Sequence, residues 1–485
     1  MSKQTIAKNY IYNVTYQILI IIIPLITVPY LSRVLGAENI GVWSYTTSIT
    51  TYFVLFGSLG ISMYAQREIA YVQEDKYKLS KIFWEINILR FVTMVISIII
   101  YYFTYIQGTQ YTSYYKILIL ELISACFDII WFFQGIEDFK KTVTRNVIAR
   151  FLSMISIFIF VKTQNDLIIY FVIYVLVNFI ANISLWTYLP KYIEKIPLRN
   201  LEVKKHLKPT ISLFIPQIAV QIYTVLDKVM LGYMLENKTE LGFYEQAQKV
   251  IKSLLFIVTS LAKVMIPRMA NTYIKGEKEK LKEYMDKSIN LTMLISIPIT
   301  LGIIAVSNNF VPIFFGEGYE KVSLILSGLS PILMIIGVSN TIGIQYLIPT
   351  KRQREYTISV TIGAIINFLI NIVLIQKFAA IGAVISTLIS EIIVAGIQIY
   401  LIRKQINVIN ILKKSWKYVI IGLVMFASCL GINNLIESNL VSLIVQIIIG
   451  ILIYGLGLLI VKDKYIFQVL KRINFKNKKY NKNNI

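Results

Sequence analysis

Fourteen apolar runs, divided by short polar stretches, fill the chain almost from end to end and leave it few folds to choose from. They lie near 11–34, 41–64, 83–106, 113–134, 146–162, 167–189, 210–233, 243–266, 287–307, 323–346, 357–376, 380–402, 416–433 and 441–461. Most have the roughly 20 residues that a helix needs to cross the bilayer hydrocarbon. Inside lipid each backbone N–H and C=O must find a partner within the protein, which a helix provides along its own length. The expected fold is an all-α integral membrane protein with fourteen transmembrane helices. The longest connections, about 190–209 and 267–286, are charged, and no soluble domain is inserted.

The charged residues orient this array. A formal net charge of +23 could suggest a nucleic-acid partner, but the lysines and arginines lie between apolar runs and not on a soluble domain. Segments on the N-terminal side of the membrane hold 37 of the 49, and the opposite loops hold six: Arg33, Lys116, Lys162, Lys238, Lys321 and Lys377. The positive-inside rule makes the first set, and both termini, cytoplasmic. The run that follows Lys3 and Lys8 is too long for a secretory signal and has no small-residue cleavage site, so it is expected to stay. The polybasic tail from Lys462 reads as an orientation signal near anionic head groups. Cys126 and Cys429 sit far apart in apolar segments, which argues against a disulfide framework. His206 is the single histidine, in a polar loop. Without a metal-binding, phosphate-loop or nucleophile motif, neither an enzyme nor a metal or other cofactor is expected.

The chain also repeats. The second run begins LGAENIGVWSY and the eighth LGYMLENKTELGFYEQA; Gly41 and Gly242 are 201 residues apart, and Trp43 or Tyr244 follows by two. Arg67 and Arg268 close these runs at the same separation, and Gln134 and Gln345, in WFFQGIEDFKK and IQYLIPTKRQR, form a second echo. This predicts two pseudo-symmetric six-helix bundles, 1–209 and 210–403, a helix pair at 404–462 and a basic cytoplasmic tail at 463–485. An even-numbered repeat keeps its orientation, so the bundles would be related by an axis along the membrane normal.

The stretch Phe243 to Ile266 is expected to cross as one helix, yet it carries Glu245, Lys249, Lys252 and Lys263. At 3.6 residues per turn these share one stripe with Ser260, opposite Val250, Leu254, Val258, Leu261 and Val264. Snorkelling to the head groups accounts for Lys249 and Lys263. Lys252 lies about 13 Å in from Phe243 and is harder to place that way. A charge at membrane depth is costly unless it faces water or a partner, so the stripe points to a cationic, water-filled cavity.

Other intramembrane polar residues join it. In the first run Pro24 and Pro29 interrupt the helix before Arg33, and in the seventh Pro216, Gln217, Tyr223, Asp227 and Lys228 form the matching feature. Asp227 and Lys228 point about 100° apart and cannot simply pair with each other. The set Arg33, Arg67, Lys228, Lys249, Lys252, Lys263 and Arg268 suits a phosphate or diphosphate. Tyr45, Tyr52, Tyr223 and Tyr244 can stack on sugar rings and bond their hydroxyls, although most of the 32 tyrosines fit an interfacial belt. Asp128, with Arg150 as its expected counter-ion, reads first as an ion pair locking two helices and second as an ion-coupling site. Asp227 and Glu245 are further candidates for ion coupling or an ion pair, and Glu391 reads as a proton or cation carrier or a partner for a lysine.

PYLSRVLGAENIGVWSY, WFFQGIEDF, IYTVLDKVMLGYM and LGFYEQAQKV, in this order, resemble the Wzx-type polysaccharide flippases of the multidrug/oligosaccharidyl-lipid/polysaccharide exporter superfamily. The resemblance implies a 6 + 6 + 2 arrangement of helices in the bacterial plasma membrane. It also implies flipping of an undecaprenyl-diphosphate-linked oligosaccharide to the outer leaflet by alternating access, for capsule, exopolysaccharide, O-antigen-like polymer or teichoic acid. Arg33, Asp227, Lys228, Gly242, Tyr244 and Lys249 fall in its motifs, whereas Glu245, Lys252 and Lys263 rest on the stripe alone. The implied partners are the lipid-linked oligosaccharide, membrane lipids, and a polysaccharide polymerase with other assembly proteins, around a monomer. A flippase for lipid-linked peptidoglycan precursor shares this physics. A multidrug or cation exporter would need a cavity dominated by carboxylates.

Overall fold

The computed structural model describes residues 3–433 and 440–465; at 3–21, 215–217, 219, 220, 222, 223, 263 and 433 it describes the backbone alone. The chain divides into two compact units, Met1–Glu245 and Gln246–Ile485. Among the described residues there is no strand. The first unit holds α1 (Lys3–Ser58), α2 (Ile61–Tyr71), α3 (Lys76–Tyr101), α4 (Thr112–Cys126), α5 (Ile130–Gly135), α6 (Phe139–Phe160), α7 (Leu167–Trp186), α8 (Leu207–Met234) and the start of α9 (Thr239–Thr259). The second continues with α10 (Ala262–Ile274), α11 (Lys278–Phe315), α12 (Glu320–Leu329), α13 (Ile332–Ile342), α14 (Gln353–Phe378), α15 (Ala380–Ile402), α16 (Val408–Lys414), α17 (Trp416–Asn433) and α18 (Leu440–Ile460). Eleven described segments are long and apolar enough to cross a membrane, or twelve if Val408–Lys414 and Trp416–Ile432, bent by 42°, count as one. The chain is a multi-pass, all-helical membrane protein.

Helix ends follow local chemistry. The first helix runs on through Pro24 and Pro29, and its interruption falls instead at Gly36 (φ 77°, ψ 165°), a conformation that residues with a Cβ rarely hold. The segment from Phe243 to Ile266 is not one helix either: α9 ends at Thr259 and α10 begins at Ala262, which puts a break inside the lysine stripe just before Lys263. The first half has the same break, between Ser58 and Ile61. Both of its edges therefore repeat at the 201-residue offset seen in the glycines.

The predicted fourth span is likewise broken at Phe127–Ile129, between α4 and α5. An open backbone at this depth needs partners, and three long side chains supply them. Trp186 Nε1 donates to the Phe127 carbonyl at 2.8 Å, and Trp131 Nε1 and the Arg90 guanidinium donate to the Asp128 carbonyl at 3.1 and 2.9 Å. The Asp128 carboxylate accepts the Ile130 N–H at 3.0 Å and restarts the helix. Around the break, Phe83, Trp131, Phe132 and Phe133 form the aromatic core of the first unit. The WFFQ motif is thus chiefly packing.

At the end of that unit facing the lysine-rich loops, Glu85 is completely buried and accepts from His206 Nε2 at 2.8 Å and from the Glu202 N–H at 2.7 Å. His206 Nδ1 and the Tyr64 hydroxyl lie 2.7 Å apart. The only histidine therefore fastens the loop before α8 to α2 and α3. In the second unit, polar side chains join α14 to α15: Ser386 Oγ donates to the Asn367 carbonyl at 2.9 Å and Gln398 Nε2 to Ser359 Oγ at 3.1 Å. Such bonds glue helices that gain little from hydrophobic association in lipid.

Candidate functional site

The polar centre of the first unit lies where the end of α8 meets the start of α9. The Tyr244 hydroxyl donates to Asp227 Oδ2 at 2.6 Å, and Lys228 Nζ lies 2.6 Å from Glu245 Oε2. Adjacent residues on one helix thus meet adjacent residues on the next, so Asp227 and Lys228 satisfy their charges without pairing with each other. Ser44, on α1, adds a third contact, donating to Glu245 Oε2 at 2.9 Å. Tyr244 is fully buried, and Asp227 and Glu245 nearly so. Lys228 and Tyr244, both expected to face substrate, are turned inward to protein partners in this structure.

Just beyond this centre α1 touches the start of α9 through glycine. A Cβ on Gly41 would lie 1.9 Å from the Lys238 carbonyl oxygen, and one on Gly242 would lie 1.9 Å from the Ala37 carbonyl oxygen. Only residues without a side chain permit this approach. Ala37 and Lys238, Gly41 and Gly242, and Ser44 and Glu245 are all separated by the same 201 positions. The contact is therefore reciprocal, each repeat element meeting the copy of itself. Lys238 is buried here, its ammonium bonded to the carbonyls of Leu235 and Glu236 and set over the rings of Tyr45 and Tyr111 at 5.4 and 5.8 Å. Burial pulls its pKa below that of an ordinary lysine.

The remaining basic candidates are more open. Lys249 is half-buried and Lys252 exposed on α9, while the Lys263 and Tyr223 side chains lie outside the described residues. Arg33 is exposed, with a guanidinium N–H 3.3 Å from the Pro29 carbonyl. Arg67 is exposed too, 3.0 Å from Glu68 and stacked over Tyr64. Its repeat-mate Arg268 lines an open cavity of about 380 Å³ together with Lys275, Lys280 and Tyr284. Glu277 lines it too and pairs with Lys280 at 2.9 Å, so Arg268 and Lys275 are the basic groups that would meet a phosphate there. The expected Asp128–Arg150 pair is not formed. Asp128 turns to Arg90, whose guanidinium is 3.6 Å from its carboxylate, while Arg150 is exposed; the broken α4–α5 joint brings Arg90 within reach. Glu391 is buried in α15. Among the described residues no three His, Cys, Asp or Glu side chains converge as a metal site would require.

Ser44, Lys238 and the Glu85–His206 pair escaped sequence reasoning. Ser44 was accessible to it, since the offset that paired Gly41 with Gly242 also pairs Ser44 with Glu245. Nothing local marks the other two.

The chain matches the family model described as polysaccharide biosynthesis protein over residues 6–273, and that of the lipid II flippase MurJ over 152–454. It is 26% identical over 409 residues to the Escherichia coli (strain K12) protein named "Putative O-antigen transporter", covering 83% of this chain and 98% of that one. Among solved structures it is similar to lipid II flippase MurJ in an inward closed conformation, with a TM-score of 0.77, 18% identity, and 95% of this chain and 100% of that chain covered. It also resembles a multidrug resistance MATE transporter of the MOP superfamily in its inward-facing conformation, with a TM-score of 0.65, 13% identity, and 80% and 94% covered.

Proposed function

Since the chain belongs to the polysaccharide biosynthesis protein family of the multidrug/oligosaccharidyl-lipid/polysaccharide exporter superfamily, we propose that it flips an undecaprenyl-diphosphate-linked oligosaccharide from the cytoplasmic to the outer leaflet of a bacterial plasma membrane. The family match, which takes in more than half of the chain, carries this reading. The product feeds a surface polysaccharide or a teichoic acid. No covalent bond changes, so the protein is a transporter and not an enzyme.

We count fourteen spans in this protein, with both termini cytoplasmic. Three observations support the count: the break at Gly36 divides α1 in two, α8 is 28 residues long, and α16 with α17 makes one bent span. The six-helix halves 1–209 and 210–403 rock about a cationic cavity. Arg33, Arg67, Lys249, Lys252 and Arg268 are the residues we assign to the diphosphate and first sugars. Four of them are exposed and Lys249 is half-buried, which supports that role. The polyprenyl tail is too apolar to leave lipid and stays outside.

The test is reconstitution with a fluorescent lipid-diphosphate oligosaccharide, comparing wild type with Lys252→Ala. Wild type should carry the headgroup across and the variant should lose most of that transport; equal rates would remove Lys252 from the site. A second reading, a flippase for lipid-linked peptidoglycan precursor, is favoured by the match to the lipid II flippase model. Offering both headgroups to the same vesicles separates the two.

A further inference from the structure

On the face of the first unit opposite the lysine-rich loops, the α3–α4 connection, α1 and the α8–α9 loop enclose an open cleft of about 200 Å³. Tyr45, Tyr105, Tyr111 and Tyr233 supply rings to its lining, and Gln110 and Lys238 supply polar groups. No carboxylate lines it, although Glu38 lies close enough to act on Tyr111 and Glu236 on Lys238. Tyr45 stands at 71° to Tyr111 with ring centroids 5.9 Å apart, so the two walls present ring faces in different directions. Tyr45 is held there by backbone: a Cβ on Gly232 would lie 2.0 Å from its ring. The hydroxyls of Tyr45, Tyr105 and Tyr233 make no hydrogen bond among the described residues. Lys238 spends two of its three N–H donors on the Leu235 and Glu236 carbonyls, which leaves one.

From this geometry we propose that the cleft is a saccharide-binding site on the outer face, taking the terminal sugar ring of the translocated headgroup. A sugar ring offers an apolar C–H face and a rim of hydroxyls. Tyrosine answers both, with a ring for the face and an O–H for the rim. The volume is below the roughly 300–1,000 Å³ of pockets that enclose drug-sized ligands, so a terminal sugar fits and a whole repeat unit does not. A belt of interfacial tyrosines would be spread around the perimeter of the bundle. These converge on one concavity and pack beside the Gly41–Lys238 contact. The remaining ammonium N–H favours sugars with a carboxylate or other acceptor at that edge.

The inference rests on the flippase reading, and the experiment keeps the two apart. The probe is the free oligosaccharide released by mild acid from the cell's own polyprenyl-diphosphate pool, which carries no lipid and no diphosphate. Saturation-transfer NMR with the full-length protein in nanodiscs should show transfer to the sugar protons. That signal should fall at least threefold in Tyr105→Ala and in Gly232→Ala, and less in Tyr105→Phe, which keeps the ring. Thermal melting checks that each variant is folded; if neither alanine variant folds, an unchanged signal in Tyr105→Phe and in Gln110→Ala overturns the cleft. Flipping of the lipid-linked substrate by a wild type that gives no sugar signal, or a signal equal in all variants, also overturns it and leaves the flippase reading intact. A wild type that binds the sugar but flips no lipid-linked substrate overturns the flippase reading alone.

Discussion

Lys228 and Glu245 meet at 2.6 Å with the carboxylate side chain only 4% exposed, so the buried carboxylate has this ammonium as a counter-ion beside the Ser44 hydroxyl. Removing one partner of a buried pair leaves an uncompensated charge, which costs about 3–5 kcal/mol. Lys228→Ala should lower unfolding stability in detergent by about that much. Replacing both by methionine should recover most of it, because a well-packed apolar pair needs no desolvation. A double-mutant cycle on thermal or denaturant unfolding reads the coupling directly; strictly additive losses would show that the two charges are stabilised elsewhere.

The glycine contact gives a sharper steric test. A methyl group on Gly242 would sit 1.9 Å from the Ala37 carbonyl oxygen, inside any tolerable contact. Overpacking of this kind costs about 1–3 kcal/mol, so Gly242→Ala should push α9 away from α1. A cysteine placed at buried Ser44 should then react severalfold faster with a membrane-impermeant maleimide in the Gly242→Ala background than alone. Gly41→Ala should act the same way through the Lys238 carbonyl.

Arg90 and Arg150 make a matched comparison. Arg90 is buried, donates to the Asp128 carbonyl and sits 3.6 Å from its carboxylate, whereas Arg150 is exposed. Arg90→Ala should lose about 3 kcal/mol, the lower end of the range for breaking a buried pair, because Asp128 keeps some solvent. Arg150→Ala should stay within about 0.5 kcal/mol of wild type. The reverse order in thermal melting would restore Arg150 as the partner of Asp128.

Asp463, just past α18, gives a pH dependence outside the membrane-spanning helices. Burial alone would raise its pKa, but the Lys417 ammonium, the Tyr418 hydroxyl at 2.9 Å and the Tyr465 N–H at 2.9 Å outweigh that and hold the carboxyl below its ordinary value. A carboxyl depressed in the folded state contributes stability that is present above its unfolded pKa of about 3.9 and is lost as pH falls through the folded value. The melting-temperature gap between wild type and Asp463→Asn should therefore be widest near neutrality and close as the pH drops below about 4. A gap that stays constant down to acid pH would place the effect in packing.

The helices were legible because lipid permits so little else: long apolar runs must be helical, and their sites in the chain follow from composition. The breaks were not. The α4–α5 joint depends on Trp186 and Arg90, residues remote in sequence whose reach across the bundle no local pattern announces. The break before Lys263 hid for the opposite reason, since neither glycine nor proline lies at Ser260–Leu261 to mark it. Among site residues, the stripe on α9 was visible as periodicity, but periodicity carries no depth. It grouped Glu245, which is buried against Lys228, with Lys252, which is exposed. The repeat offset held more information than the glycines alone, and Ser44 is where it went unused.

The crossing of α1 and α9 has the geometry of a homodimer interface folded into a single chain. In a twofold dimer, a residue on the axis must be compatible with an identical copy of itself, and two glutamates or two serines facing each other would leave Lys228 either doubly courted or without an anion. Covalent joining of the two copies lifts that restriction. One side has kept the acceptor and the other supplies the donor, so the axis carries a directional bond that no assembly of identical subunits could form.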